Sequence, residues 1–218
     1  MKVKKYDIIL FDLDGTLTNP ERGLLEAFVY AFSRHKVDYG TKESLKRFIG
    51  PPLHEEWQRE FGFTPEESSR AIETMREYYD VYGWWDNEVY PGIREMLEGL
   101  LSSGKTLAVA TSKPERTAKR VLSLFGLDKY FTFVGGASGS RTRDKKSEVI
   151  EYVLDNLGVR DRSRCVLIGD RKYDAIGARA VGIDSIGILW GHGTADELSR
   201  ENFVKLFETP EQVTECLK

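Results

Sequence analysis

The chain has 218 residues, 40% of them hydrophobic and 31% charged, which is enough for one full core and a smaller attached module. Its 32 basic and 35 acidic residues leave a formal net charge of -3, which does not favour binding to nucleic acid or to an anionic membrane surface. The two cysteines, Cys165 and Cys216, are expected to be reduced, and we expect neither a signal peptide nor a membrane span. We therefore expect a cytoplasmic protein.

Short apolar runs of strand length recur along the chain and are separated by segments with helical periodicity. The five runs cover residues 7–11, 106–110, 130–134, 165–168 and 183–189. The helical segments between the later runs cover residues 115–125, 147–157 and 174–181, and a glycine follows each of them. This alternation predicts an α/β fold in which helices cover both faces of a parallel sheet.

The stretch between the first and second runs is long, has helical periodicity throughout and contains no convincing strand. We predict an α/β core domain formed by residues 1–17 and 88–218, with a helical cap domain, residues 18–87, inserted after the first strand. Inside this insertion, Thr64 and Glu67 have the spacing of a capping box at the start of a helix.

Two local signals lie near the end of the chain. Phe203 and Val204 have the composition of a short strand. Thr209 followed by Pro210 is typical of a helix start.

The strongest chemical signal is the segment Asp12-Leu13-Asp14-Gly15-Thr16, which directly follows the first strand. A second acidic pair, Asp170 and Asp174, follows the fourth strand. Ligands bind at the carboxyl ends of the strands in open parallel sheets. Several carboxylates close together need a cation, and hard oxygen ligands suit Mg²⁺. The sequence therefore predicts a magnesium site at this edge.

Further polar residues follow the other strands. Thr111 and Ser112 follow the second strand, where their hydroxyls can hold a phosphate. The basic segment 143–146 follows the third strand and can bring one ammonium to the same crevice. A nucleophilic carboxylate, an acid/base carboxylate, a hydroxyl, a cationic side chain and a metal ion are the groups that phosphoryl transfer needs.

Two segments beside these motifs are not expected to take part in catalysis. The loop 190–193, Trp-Gly-His-Gly, follows the fifth strand and is expected to border the site. Arg171 and Lys172 are expected to be surface charges near the metal edge.

With these motifs in place, the chain resembles the haloacid dehalogenase superfamily, in particular its phosphoglycolate-phosphatase-like branch with a helical cap. The resemblance covers essentially the whole chain. It rests on the first motif at residues 12–16, Thr111 as the second, a lysine ahead of Ser147 as the third, and residues 169–174 as the fourth. It implies a Rossmann-like core whose five predicted strands have the order 5-4-1-2-3.

The resemblance also implies a role for each motif residue. Asp12 would attack the phosphorus, and Asp14 would protonate the leaving oxygen and then activate water. The remaining implied roles are phosphate binding by Thr111, Ser112 and a lysine, Mg²⁺ binding by Asp12, the Asp14 backbone carbonyl and Asp170, and support of the metal's surroundings by Asp174 and Thr16.

The third-motif lysine is ambiguous because Lys145 and Lys146 are adjacent. We prefer Lys146, because its spacing to Glu148 resembles that of relatives lacking the usual Lys-Pro-x-Pro form. Many relatives carry Asn after the threonine of the second motif, where this chain has Ser112.

The function predicted from these motifs is a Mg²⁺-dependent phosphatase that hydrolyses a small phosphomonoester through an aspartyl-phosphate intermediate. A phosphoglycolate-like ester, a nucleotide or a sugar phosphate would each suit it, and the motifs do not choose among them. A phosphomutase of the same fold is one alternative, and a receiver-like module that signals through a phosphoaspartate is another. The expected partner is a small phosphate ester, without nucleic acid or membrane, and the expected assembly is a monomer or a homodimer.

Overall fold

The computed structural model describes residues 5–138 and 142–218. The chain divides into two compact units, one formed by Met1–Asn19 with Val89–Lys218 and the other by Pro20–Glu88. In the described parts of the chain, no helix is both long and apolar enough to cross a membrane.

The first unit is built on a six-stranded sheet in which every neighbouring pair of strands is parallel. Its strands are β1 (Ile8–Phe11), β4 (Thr106–Pro114), β5 (Phe133–Ala137), β6 (Cys165–Gly169), β7 (Asp184–Ile188) and β8 (Lys205–Phe207). Their order is β5-β4-β1-β6-β7-β8. The predicted α/β class and the order of the five predicted strands are confirmed, and β8 extends the sheet beyond β7.

The register of the central strands places the sequence motifs at one edge. Phe11, the last residue of β1, lies beside Val109 of β4 and Ile168 of β6. The residues that follow these three positions therefore leave the sheet side by side. This is the physical reason why segments far apart in sequence meet at one edge of the sheet.

Helices flank the sheet of this unit. They are α4 (Ile93–Ser102), α5 (Glu115–Leu124), α6 (Lys146–Asn156), α7 (Lys172–Ala180), α8 (Ala195–Ser199) and α9 (Pro210–Leu217), with 3-10 turns at Asp128–Tyr130 and Arg162–Arg164. The apolar stripe of α6, which includes Val149 and Val153, packs in one buried cluster with Leu10 and Leu167 of the sheet. Such burial is the main stabilising contribution to a domain of this kind.

The second unit is almost entirely helical. It contains α1 (Glu21–His35), a 3-10 helix (Lys42–Phe48), α2 (Leu53–Phe61), α3 (Pro65–Tyr78) and a π-helical turn (Tyr79–Gly83). Its core surrounds the fully buried Trp57, whose ring lies 5.8 Å from that of Phe28 and 4.6 Å from that of Phe32. The predicted capping box of Thr64 and Glu67 is present at the start of α3.

Some local predictions are wrong. The predicted insertion, residues 18–87, is not strand-free, because the two-residue strand β2 (Thr18–Asn19) lies at its start, and β3 (Glu88–Val89) directly follows it. The last strand begins at Lys205 and not at Phe203, because only the later segment aligns in parallel with β7. The Thr209 hydroxyl, by contrast, caps α9 as expected by accepting a hydrogen bond from the Gln212 N–H.

Candidate active site

Three buried carboxylates meet at the carboxyl end of the sheet. Oxygens of Asp12, Asp170 and Asp174 all lie within 4.8 Å of one another. The backbone N–H of Asp12 donates a 2.9 Å hydrogen bond to the Ile168 carbonyl, which ties the first motif to β6. The predicted convergence of carboxylates from the ends of the first and fourth strands is therefore confirmed for Asp12, Asp170 and Asp174.

A tight turn at Gly15 allows the first motif to lie close to Asp170. Its φ is +83°, a conformation that side chains disfavour. A Cβ at this position would also lie 2.2 Å from Oδ2 of Asp170, which is far inside contact distance. Both the conformation and the space at this position require glycine.

Asp170 is fully buried and is held by two donors. The Thr16 hydroxyl donates to Oδ1 at 3.3 Å, and the His192 N–H donates to Oδ2 at 2.8 Å. Burial, together with the nearby carboxylates of Asp174 and Asp12, raises the pKa of Asp170 to about 8. The positive charge near Asp170 therefore does not offset its burial and its two neighbouring carboxylates.

The loop after β7 borders the site, as the sequence predicted, and it does so through specific contacts. The indole N–H of Trp190 donates to the Thr16 carbonyl at 3.0 Å, and the His192 N–H bonds Asp170. The first bond holds Thr16 of the first motif through its backbone carbonyl. The second holds Asp170 of the fourth motif through the backbone N–H of His192. Sequence reasoning did not assign these contacts. The His192 donor is a backbone N–H, which any residue type could supply, and the Trp190 indole donates to a backbone carbonyl, which leaves no residue-type signal at position 16.

Lys146 supplies the cluster with one ammonium. Its Nζ lies 3.0 Å from Oδ1 of Asp12 and 2.7 Å from Oδ1 of Asp174, and its side chain is only 6% exposed. Burial opposes the charge, but the two carboxylates outweigh it and raise the pKa of Lys146 above its usual range. Lys145 is exposed, so the geometry favours Lys146 as the third-motif lysine.

The start of α6 fixes this position. The Glu148 carboxylate accepts hydrogen bonds of 3.0 Å from the backbone N–H groups of Asp144 and Lys145. These contacts start the helix so that Lys146 is its first residue. The neighbouring residues 139–141 lie outside the described part of the chain.

Asp14 does not belong to the three-carboxylate group found among the described residues. Its carboxylate instead binds Lys113 at the end of β4, with the Lys113 Nζ 3.0 Å from Oδ1 and 2.8 Å from Oδ2. The Lys113 side chain is 3% exposed. The sequence reasoning gave this lysine no role, because a lysine in a polar segment has the pattern of a solvated charge.

The two predicted hydroxyl donors differ in exposure. Thr111 is buried, and its hydroxyl accepts a 3.2 Å hydrogen bond from the Lys113 N–H. Ser112 is exposed. Both belong to the last part of β4, at the same edge of the sheet as Asp12.

Arg171 was expected on the surface, and this expectation is wrong. Its guanidinium donates to the Glu197 carboxylate, with Nε at 3.0 Å and Nη2 at 3.3 Å, and the Lys172 N–H donates to the same group at 2.9 Å. Burial disfavours the Glu197 carboxylate, but these donors prevail and hold its pKa below the ordinary value. The pair joins the start of α7 to α8.

The acidic cluster fits a hard divalent cation. Its donors are carboxylate oxygens, which such ions prefer, and Lys146 alone cannot balance three buried carboxylates. The raised pKa of Asp170 is consistent with this shortage of positive charge.

Comparisons with known proteins identify a family and similar sequences. Residues 9–188 match the model of the family described as haloacid dehalogenase-like hydrolase. The chain is 39% identical to a 5'-nucleotidase of Pseudomonas aeruginosa over 89% of this chain and 87% of that protein. It is 37% identical to the tyrosine-protein kinase PtkA of Mycobacterium tuberculosis over 88% of this chain but only 65% of that longer protein.

A solved structure is similar over nearly its full length. The crystal structure of a putative phosphatase from Clostridium difficile superposes with a TM-score of 0.86 at 41% identity, covering 99% of this chain and 100% of that one. The family match, together with the shared sheet and the order of the motifs, leads to one conclusion. The chain belongs to the haloacid dehalogenase-like hydrolase family.

Proposed function

We propose that this hydrolase is a Mg²⁺-dependent phosphatase that cleaves a small phosphomonoester through an aspartyl phosphate on Asp12. The observation that carries the proposal is the convergence of Asp12, Asp170 and Asp174 beside the ammonium of Lys146. A nucleophile, a cation site and a fixed positive charge in one buried cluster suit phosphoryl transfer, which depends mainly on positioning and charge neutralisation.

The first half of the reaction belongs to Asp12 and Asp14. An Asp12 carboxylate oxygen forms a bond to phosphorus while the bond from phosphorus to the ester oxygen breaks. The ester oxygen keeps the electron pair and takes a proton from Asp14, so that it leaves as an alcohol. The Leu13 N–H and the Lys146 Nζ both bind Oδ1 of Asp12, at 2.8 Å and 3.0 Å, which fixes the orientation of the nucleophile.

In the second half, a water oxygen attacks phosphorus and gives its proton to the Asp14 carboxylate. The Asp12–phosphorus bond breaks, and inorganic phosphate leaves with Asp12 restored. Thr111, Ser112 and Lys146 are the residues that we assign to binding the phosphate oxygens. The buried Thr111 hydroxyl and the charged Lys146 have the donor chemistry for this task.

Asp12, Asp170 and the Asp14 backbone carbonyl would hold Mg²⁺, which when bound supplies positive charge to the carboxylates and to the phosphate oxygens. Asp174 and Thr16 would act indirectly. Asp174 binds Lys146, and Thr16 donates to Asp170, so both orient groups that contact the ion or the phosphate.

The substrate class that we propose is a small phosphate ester. The 39% identity to a protein named 5'-nucleotidase supports nucleoside monophosphates as the first esters to test. Phosphoglycolate and sugar phosphates belong in the same panel, because the core chemistry does not discriminate among them.

The test is phosphate release from this panel with Mg²⁺, comparing the wild-type protein with Asp12→Asn. We expect turnover by the wild type, none by Asp12→Asn, and reversible loss of activity with EDTA. Asp196→Asn, which changes an exposed aspartate, is the matched control and should retain activity. Full activity of a folded Asp12→Asn protein would refute the nucleophile.

A second candidate follows from the similarity to a protein named tyrosine-protein kinase. The aspartyl phosphate would then pass to an acceptor other than water. Incubation with ATP labelled at its γ-phosphate and a tyrosine-containing peptide tests this transfer, and labelled tyrosine supports the second candidate. In the panel of phosphomonoesters, free phosphate supports the phosphatase, an isomerised phosphate ester indicates a phosphomutase, and a lasting phosphoaspartate indicates a receiver-like module.

A further inference from the structure

The two carboxylates of the first motif bind different lysines. Asp12 binds Lys146, the first residue of α6, while Asp14 binds Lys113 at the end of β4. The side chains of the two lysines are 6% and 3% exposed. A buried lysine is costly unless it is paired, so each of these pairs is a built feature of the site and not a surface contact.

The backbone around Lys113 is fixed on two sides. Its N–H donates to the Thr111 hydroxyl at 3.2 Å. Its carbonyl lies against Gly136 of β5, where a Cβ would come within 2.5 Å of that oxygen. Lys113 therefore projects from an ordered strand end, and the direction of its side chain does not depend on Asp14 alone.

We propose that Lys113 is a positioning residue that holds the Asp14 carboxylate for proton transfer to the leaving group, an inference that rests on the proposed phosphatase function. The Lys113 Nζ is within hydrogen-bonding distance of both Asp14 oxygens. One oxygen can therefore carry the transferred proton while the other remains bonded to Lys113. The carboxyl group keeps its orientation in both halves of the reaction.

This role has a chemical signature. An ester with a strongly basic leaving oxygen needs a proton as the bond to phosphorus breaks, whereas an ester with a weakly basic leaving oxygen needs it far less. Misplacing Asp14 should therefore slow phenyl phosphate strongly and p-nitrophenyl phosphate weakly. Loss of phosphate binding or of folding would affect both esters alike.

The experiment measures kcat/KM for these two esters with saturating Mg²⁺, because kcat/KM reports the step that expels the leaving group. We expect Lys113→Met to lower kcat/KM for phenyl phosphate by roughly 10²-fold, and for p-nitrophenyl phosphate by less than about tenfold. Lys119→Met removes an exposed lysine that pairs with Glu115 at 2.6 Å, and it should change neither value.

A double-mutant comparison tests whether Lys113 acts through Asp14. If it does, adding Lys113→Met to Asp14→Asn should cost little beyond Asp14→Asn alone. If Lys113→Met does not fold, as judged by thermal unfolding, Lys113→Gln takes its place because it keeps a donor with a side chain of similar length.

Equal losses for the two esters, or additive losses in the double mutant, would overturn the inference while leaving the phosphatase proposal intact. The phosphatase proposal fails separately, if the wild-type protein releases no phosphate or if Asp12→Asn remains active. The two failures are therefore distinguishable.

Discussion

The Nζ of Lys146 lies 3.0 Å from Oδ1 of Asp12, although the two residues are far apart in sequence and the segment between them includes β4 and β5. The same Nζ lies 2.7 Å from Oδ1 of Asp174. Lys146 therefore links the proposed nucleophile to the fourth motif. Its single charge neutralises part of a buried acidic cluster.

Replacing this lysine should destabilise the protein as well as inactivate it. Lys146→Met leaves Asp12 and Asp174 buried without their common partner, and breaking such a buried pair costs roughly 3–5 kcal/mol. Chemical unfolding with EDTA present measures the change in the free energy of unfolding. Lys145→Met, at the exposed neighbouring position, should change it by less than about 0.5 kcal/mol. Equal effects would contradict the assignment.

Removing one carboxylate should have the opposite effect on the metal-free protein. Asp170→Asn relieves repulsion among three buried carboxylates, so we expect its melting temperature in EDTA to equal or exceed that of the wild type. Mg²⁺ at about 100 times its dissociation constant should stabilise the wild type by about 2.7 kcal/mol and the variant hardly at all. A similar Mg²⁺ response in both proteins would argue against Asp170 as a ligand.

Gly15 and Gly104 offer a matched pair of alanine substitutions. Their φ angles are +83° and +78°, but a Cβ would meet Asp170 at 2.2 Å in the first case and nothing within 4 Å in the second. Gly104→Ala should therefore cost about 1–2 kcal/mol from its backbone conformation alone. Gly15→Ala should cost more and should also abolish stabilisation by Mg²⁺. Denaturant unfolding with and without Mg²⁺ checks both expectations.

The ion pair between Arg171 and Glu197 predicts a pH-dependent contribution to stability. The folded protein holds the pKa of Glu197 below the ordinary value, despite burial, through donors from Arg171 and Lys172. The stabilisation is therefore fully present above the unfolded pKa of about 4.3 and is lost as the pH falls through the lower folded value.

The variant Glu197→Gln isolates this contribution. The wild type should exceed it in free energy of unfolding at pH 7, and the difference should shrink as the pH falls below about 4. Asp196→Asn breaks an ion pair with Arg200. The side chains of Asp196 and Arg200 are 72% and 74% exposed, so this change should have little effect at any pH. A difference that persists unchanged at low pH would contradict the expectation.

Most of the fold could be predicted from the sequence because its signals are local and repeated. The buried runs of β1 and β6 are apolar on both faces, as parallel strands in a covered sheet must be. The edge strand β8 was misplaced, because a three-residue strand with exposed Lys205 and buried Phe207 has too few residues to show a period. Its position depends on its pairing with β7.

The candidate site likewise has features that the sequence could predict and features that it could not. The positions of Asp12 and Asp170 followed from their place after strands, so their convergence could be predicted. The partnership of Lys113 with Asp14 could not, since it depends on the alignment of β1 with β4 and on which way a long side chain turns. The contact of the His192 N–H with Asp170 was also missed, because any residue type could supply that donor.

The separate lysine partners of Asp12 and Asp14 have a consequence for how this enzyme can diverge. A change at the end of β4 would alter the Asp14 environment without disturbing the charge that Lys146 brings to Asp12. In the proposed mechanism, leaving-group preference and nucleophile strength can therefore be inherited, lost or re-engineered as independent traits, even though only one residue separates the two aspartates in the chain.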